Sequence, residues 1–330
     1  MPRMVDGTWN PDEEMVETDE SGSFERAETT FREWVRADPD ETFPAEPGRY
    51  HLYISRACPW AHRVVLVRKL KGLEDAISMD VVDPVREDQG WEFAPEKPGC
   101  TPDTENGSAY LREVYAAADP TYTGRVTVPV LWDTARETIV NNESADLMRM
   151  VDQAFDDHAE RDVTLYPADD RDEIDRLVDE LYESVNNGVY KAGFADTQEA
   201  YERAVDELFE ALDRYDALLA EQRYLVGERL TLADVCLFTT LYRFDPVYYV
   251  HFKCNEQLVA QYPNLSGYLR DLYQLPGVRE TCNMDHVKTH YYRSHTDINP
   301  TRFVPTGPRQ DLDAPHDREG LPGEPPAALQ

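Results

Sequence analysis

The sequence predicts an α+β chain of two domains, and three observations carry that prediction. An early strand–helix–strand unit spans about 35 residues, the size of a parallel strand pair joined by a crossover helix. From about residue 170 the apolar spacing turns helical and stays so. The length of 330 residues is enough to bury a separate core in each of two domains.

Residues 1–46 read as an acidic N-terminal arm. Its scattered aromatics (Trp9, Phe24, Phe31, Trp34) imply packing on the body, and Phe24 to Val35 is expected to hold a short helix. Residues 47–160 form the strand-bearing domain. Residues 49–55 are rich in aromatic and β-branched side chains and predict its first strand. Cys58-Pro59 follows, then an apolar helix from about Trp60 to Leu70, closed by Lys69, Lys71 and Gly72. A second strand is expected over 77–82 and a long connection of little regular structure over 83–124. A third strand is expected over 126–132, interrupted by Pro129, and a fourth over 137–140, with a helix starting near Glu143.

Residues 161–303 are expected to be all helical. Ala204, Val205, Leu208, Phe209, Leu212, Tyr215, Leu218 and Leu219 fall on one apolar face. Thr231 and Asp234 stand three apart before an apolar run, a capping-box start. That next helix, to about Tyr242, is apolar nearly all round and is expected to be buried. Two more helices fit near 255–274 and 276–283. Residues 304–330 are rich in Pro, Gly and Asp and read as a tail.

Charge bounds the function. The chain has 33 Lys and Arg against 65 Asp and Glu, a net −32. Such a field repels phosphate backbones and anionic lipid, which argues against nucleic-acid and membrane partners. Only six of the basic residues are Lys. A folded chain this acidic and Lys-poor suits a cytoplasm of multimolar salt, where screening quenches self-repulsion. No apolar stretch is long enough to cross a membrane and no signal peptide is evident, so a cytoplasmic location is expected. Five cysteines (58, 100, 236, 254, 282) without a Cys-x-x-Cys pair argue against a disulfide framework and a zinc ribbon. His286, His290 and His295 lack the accompanying ligands of a metal site, and no metal is expected.

Cys58 carries the chemistry. A cysteine at a helix N-terminus faces unpaired N–H groups and the positive end of the helix dipole, which predicts a lowered thiol pKa. Pro59 fits the first helical turn because its missing N–H would have no partner there. Ala61 replaces any second cysteine, so a disulfide on Cys58 needs an external thiol to resolve it.

The segment Tyr50-His-Leu-Tyr-Ile-Ser-Arg-Ala-Cys58-Pro-Trp-Ala-His-Arg63 resembles the active-site segment of glutathionyl-hydroquinone reductases, the Xi class of glutathione transferases. The likeness continues through Gly90-Trp91-Glu-Phe93, Tyr122-Thr-Gly-Arg125-Val-Thr-Val-Pro129 and Asn141-Asn-Glu143-Ser144. It runs on through Asn186-Asn-Gly-Val-Tyr190, Thr231-Leu-Ala-Asp234, Arg243-Phe-Asp-Pro-Val-Tyr248 and His286-Val-Lys-Thr-His-Tyr291. It covers residues 5–303.

This resemblance implies a thioredoxin-like N-terminal domain, an all-α glutathione-transferase C-terminal domain and a homodimer. It implies cleavage of quinone thioethers, with glutathione or a related γ-glutamyl thiol as co-substrate. It makes Cys58 the nucleophile and Tyr190 the proton donor, and puts Tyr248 and Tyr291 near the sulfur. It assigns thiol binding to Trp91, to Arg125, Val126, Thr127 and Val128, and to Glu143 and Ser144. Two other readings stay open: an Omega-type dehydroascorbate or disulfide reductase, and a non-catalytic transferase-like binding protein. The three tyrosine segments favour the hydroquinone reading over the first, and an intact Cys58 argues against the second.

Overall fold

The computed structural model describes residues 3–11, 17–26 and 28–330. Two small hairpins open the chain: β1 (Arg3–Val5) with β2 (Thr8–Asn10), and β3 (Glu17–Thr18) with β4 (Phe24–Glu25). The helix expected over Phe24 to Val35 does not form. The arm runs extended instead, because the sheet edge offers it partners: Glu33 N–H donates to the Val140 carbonyl, and Asn142 N–H to that of Phe31.

A mixed four-stranded sheet follows. β5 (Tyr50–Ile54) leads through α1 (Pro59–Lys71) to β6 (Ile77–Val81), which pairs with β5 in parallel. All five residues of β5 are buried, as an apolar central strand requires. Gly72 closes α1 in the left-handed region (φ 68°), and its N–H reaches back to the Arg68 and Lys69 carbonyls. The connection after β6 contains α2 (Leu111–Ala118), where little regular structure was expected. Glu113 accepts from the N–H groups of Ala109 and Tyr110 and so starts it. β7 (Val130–Asp133) and β8 (Thr138–Asn141) complete the sheet in the order β6-β5-β7-β8, and α3 (Ser144–Gln153) packs against α1. Residues 126–129, expected as strand, stay outside the ladder.

The remainder is helical: α4 (Arg171–Leu181), α5 (Gly188–Gly193), α6 (Gln198–Leu218), α7 (Leu232–Arg243), α8 (Tyr249–His251), α9 (Leu265–Gln274), α10 (Val278–Thr281) and α11 (Met284–Ser294). The expected apolar face of α6 is buried, Leu218 only partly. The Thr231–Asp234 capping box starts α7, all of whose residues are buried. α7 and α10 pack against α1, so this interface runs directly behind Cys58. Two π-helical turns, Tyr182–Asn186 and Phe244–Tyr248, widen the helical path beside the site, a common place for such turns. α11 went unforeseen; the Asn283 side chain accepts from His286 N–H and starts it.

The segment read as a tail folds back onto the body. The Arg318 guanidinium is buried and donates to the carbonyls of Leu219, Gln222 and Arg223, just past the C-terminal end of α6. Leu329 is buried as well.

Candidate active site

Cys58 stands where β5 hands over to α1. Its backbone is extended (φ −72°, ψ 122°), and Pro59 opens the helix. Desolvation is the largest influence on the thiol and raises its pKa above the ordinary value. The N–H groups of Ala61 and Trp60 and the charges of Arg243 and Arg26 pull the other way. The lowered pKa expected from the helix end is therefore not what the structure gives, because burial outweighs it.

Arg243, at the end of α7, is buried beneath this loop. Its Nε donates to the Ala57 carbonyl at 2.9 Å and its Nη2 to the Arg56 carbonyl at 3.2 Å. Its Nη1 reaches the Thr239 carbonyl and His62 Nδ1. Burial and the nearby guanidinium hold the His62 pKa well below its usual value, so the ring is neutral. Thr281 Oγ1 donates to the Val278 carbonyl and is thus the acceptor for His62 Nε2–H, at 2.8 Å. That fixes the tautomer: Nδ1 accepts from Arg243. Arg243 therefore makes no hydrogen bond to a carboxylate among the described residues.

Opposite the thiol lies the Arg125–Val128 segment. Cys58 Sγ–H donates to the Val128 carbonyl at 3.5 Å, and the Val128–Pro129 bond is cis. Two tyrosines hold this segment in place. Tyr122 Oη donates to the Arg125 carbonyl at 2.7 Å, and Tyr115 Oη to that of Thr127 at 3.0 Å.

The three predicted tyrosines meet, though they do not play equal parts in the wall. Tyr190 Oη and Tyr291 Oη are 2.5 Å apart, and Tyr291 Oη lies 3.1 Å from Tyr248 Oη. Burial raises the pKa of all three, those of Tyr248 and Tyr291 furthest, which keeps them phenols. Tyr190 is placed by the π-turn before it. There Asn186 accepts from Arg63 and donates to the Cys236 carbonyl and Thr240 Oγ1.

Two adjoining cavities open on these groups. The first, of about 130 Å³, is bordered by Cys58, Trp91, Arg125, Val126, Thr127, Val128, Tyr190 and Tyr291, with His290 and His295. The second, of about 430 Å³, is bordered by Glu143 and Ser144 and shares Arg125, Thr127 and Val128 with the first. Tyr248 borders neither; it is fully buried behind Tyr291 and reaches the cavity only through that hydroxyl. Trp91 stacks on His290 (5.2 Å between centroids), and its buried indole N–H has no partner among the described residues. Glu143 caps α3, accepting from Ala145 N–H at 3.3 Å, while its other carboxylate oxygen accepts from Thr29 Oγ1.

The His trio of the sequence is dispersed. His286 is turned to the Pro98 carbonyl, away from His290 and His295, and no metal-holding cluster occurs among the described residues. Sequence reasoning gave no role to Arg26, Trp60, Arg243, His290 or His295. Arg243 lies in a segment with a recognisable pattern, but nothing in its spacing says that it reaches Ala57. Arg26 carries no local signal at all.

Comparison with known proteins agrees with this architecture. Residues 57–154 match the glutathione S-transferase N-terminal domain model and residues 198–271 the C-terminal domain model. Glutathionyl-hydroquinone reductase YqjG of Escherichia coli is 50% identical over 97% of this chain and 99% of its own. Glutathionyl-hydroquinone reductase PcpF of Sphingobium chlorophenolicum is 49% identical over 94% of this chain and 98% of its own. Among solved structures, the Xi-class transferase of Natrialba magadii superposes with a TM-score of 0.92 at 54% identity, covering 98% of each chain. The glutathione-bound structure of YqjG superposes with a TM-score of 0.88 at 48% identity, covering 96% of this chain and 99% of that one. With a thioredoxin-like sheet domain, a helical domain behind it and near-full-length relatives at half identity, this chain belongs to the Xi-class glutathione transferase family, that of the glutathionyl-hydroquinone reductases.

Proposed function

We propose that this protein is a thiol-dependent reductase that cleaves the thioether between a hydroquinone ring and glutathione or a related γ-glutamyl thiol. One observation carries the reading: a single thiol, Cys58, shares an aromatic-walled cavity with the hydrogen-bonded phenols of Tyr190 and Tyr291. A phenol stays protonated at neutral pH and can give its proton to a poor carbon leaving group.

The reaction divides into two steps. The sulfur-bearing ring carbon takes a proton from Tyr190, the Cys58 thiolate attacks the thioether sulfur, and the carbon–sulfur bond breaks. The products are the hydroquinone and a mixed disulfide on Cys58. A second thiol then attacks that disulfide, releasing the symmetric disulfide and the Cys58 thiolate. The ring carbon is reduced, and the thioether sulfur and the sulfur of the second thiol are oxidised. Arg243, whose hydrogen bonds go to no carboxylate, favours the thiolate as the anion to offset its buried charge.

The polar cavity suits the thiol's γ-glutamyl end. Glu143 accepts from its ammonium, and Ser144, at the start of α3, donates to its carboxylate. Arg125 pairs with a second carboxylate, and Trp91 packs on the peptide. The reading includes a homodimer and a cytoplasm of high salt, the latter supported by the −32 charge. Incubating the enzyme with one quinone thioether and a panel of thiols, with products identified by mass spectrometry, tests it. Hydroquinone together with a disulfide joining the thioether's own thiol to the added thiol is the expected result. Release of an intact thiol without disulfide would overturn it.

A further inference from the structure

The N-terminal arm brings a cation into this site. Arg26 follows β4, whose Phe24 packs on Phe194 of the helical domain (5.5 Å between centroids). Its guanidinium carbon sits 4.7 Å from the Trp60 ring centroid and 4.9 Å from that of Tyr190. Its Nε donates to Asn187 Oδ1 at 3.0 Å. The remaining hydrogen bonding is incomplete: Nη2 is buried without a partner among the described residues. Arg26 also borders both cavities. A buried charged donor without an acceptor is unfavourable until an acceptor binds. Two aromatic faces and an amide fix the group, so it is organised before anything arrives.

We propose that Arg26 is a catalytic anion-binding residue, which holds the ring oxygen of the quinone moiety as negative charge gathers there. The inference rests on the thioether-cleaving reading. Proton transfer from Tyr190 to the sulfur-bearing ring carbon, with the neighbouring hydroxyl giving its proton to water, turns that part of the ring into a ketone. The Cys58 thiolate then attacks sulfur. The carbon–sulfur electron pair passes into the ring, and the hydroquinone departs as a phenolate whose oxygen takes a proton from water. The carbon leaving group thus becomes an oxyanion, for which a fixed guanidinium is a better partner than the neutral phenols of Tyr190 and Tyr291.

Two measurements on the full chain test this, with R26M and R26K. The first uses 4-nitrophenol as probe, since its phenolate absorbs visibly. The wild type is expected to hold the phenolate at least about tenfold tighter than the phenol, lowering the bound probe's apparent pKa by about one unit. R26M removes that preference and R26K, which keeps the charge, retains most of it. No phenolate preference in the wild type, or an equal one in R26M, overturns the proposal whether or not the enzyme cleaves thioethers. The second is single-turnover kinetics. R26M is expected to slow hydroquinone release about 10²-fold, while thiol-driven clearance of a preformed Cys58 mixed disulfide stays within about threefold. If raising the pH restores R26M to the wild-type rate, Arg26 serves only the thiolate and the proposal fails. A wild type that releases no hydroquinone refutes the thioether reading, and the probe titration still decides Arg26.

Discussion

Arg243 Nε and the Ala57 carbonyl, 2.9 Å apart, join the end of α7 to the residue before Cys58. The loop that aims the thiol is therefore held from the helical domain, and the same guanidinium lowers the thiol pKa through its charge. Arg243→Met leaves the carbonyls of Arg56, Ala57 and Thr239 without this donor. A loss of about 3 kcal/mol in unfolding free energy is expected, with a higher pH midpoint for iodoacetamide alkylation of Cys58. An unchanged alkylation midpoint would show that the contact is structural only.

Cys58→Ala is expected to abolish thioether cleavage. Alanine at Cys100, Cys236, Cys254 or Cys282 leaves cleavage intact, since none of these borders the cavity that holds Cys58. Intact-mass and peptide analysis of the enzyme trapped with substrate locates the mixed disulfide. Its appearance on any of the other four refutes the assignment.

Tyr190→Phe is expected to slow hydroquinone release by about 10²–10⁴-fold, the range for a lost proton donor. Cys58 alkylation stays nearly unchanged. Tyr248→Phe, one hydroxyl removed from the cavity, has a smaller effect, about tenfold at most. Equal losses in release and alkylation for Tyr190→Phe would make it a residue that tunes the thiol.

Stability is expected to fall steeply on acidification. Burial depresses the pKa of His62 and His295 well below the usual value, that of His251 to about 4 and that of His290 to about 3. These rings are neutral when folded and protonate on unfolding below about pH 6.5, so the unfolded state binds more protons. Their stabilisation is complete above that pH and is lost as pH falls toward the folded values. Asp234 acts in the opposite sense, its pKa raised by burial to about 6. Asp245, its pKa also raised by burial, acts in the same sense as Asp234, and the four histidines together outweigh these two carboxyls, so stability falls as pH drops below about 6.5. Urea unfolding at constant KCl from pH 7.5 to 4.5 measures it. A flat profile would mean that these histidines are charged in the folded protein.

Salt is expected to raise both the melting midpoint and the activity. At net −32, exposed charges repel over about 30 Å at 0.01 M ionic strength but only about 3 Å at 1 M. A midpoint that stays flat or falls between 0.1 and 3 M KCl ends the high-salt reading. A matched-osmolality sugar, at two protein concentrations, separates screening from stronger apolar burial and from subunit assembly.

Features set by near neighbours were legible from the residues alone. Tyr50 to Ile54 could only be a buried strand, Cys58-Pro59 a helix start, and Thr231 with Asp234 a capped one, because each depends on neighbours within a few residues. Resemblance carried over Tyr190, Tyr248 and Tyr291 as a set, but not that Tyr248 stands behind Tyr291 rather than on the cavity wall. The arm's extended path was hidden because its partners are backbone groups of β8, more than a hundred residues away. Arg318 was hidden for the same reason: the carbonyls that hold it belong to Leu219, Gln222 and Arg223, in the turn after α6. Tertiary structure alone decided that Arg26 and Arg243 flank the thiol. It also decided that burial, which no local pattern reports, overrides the helix end in setting the pKa of Cys58.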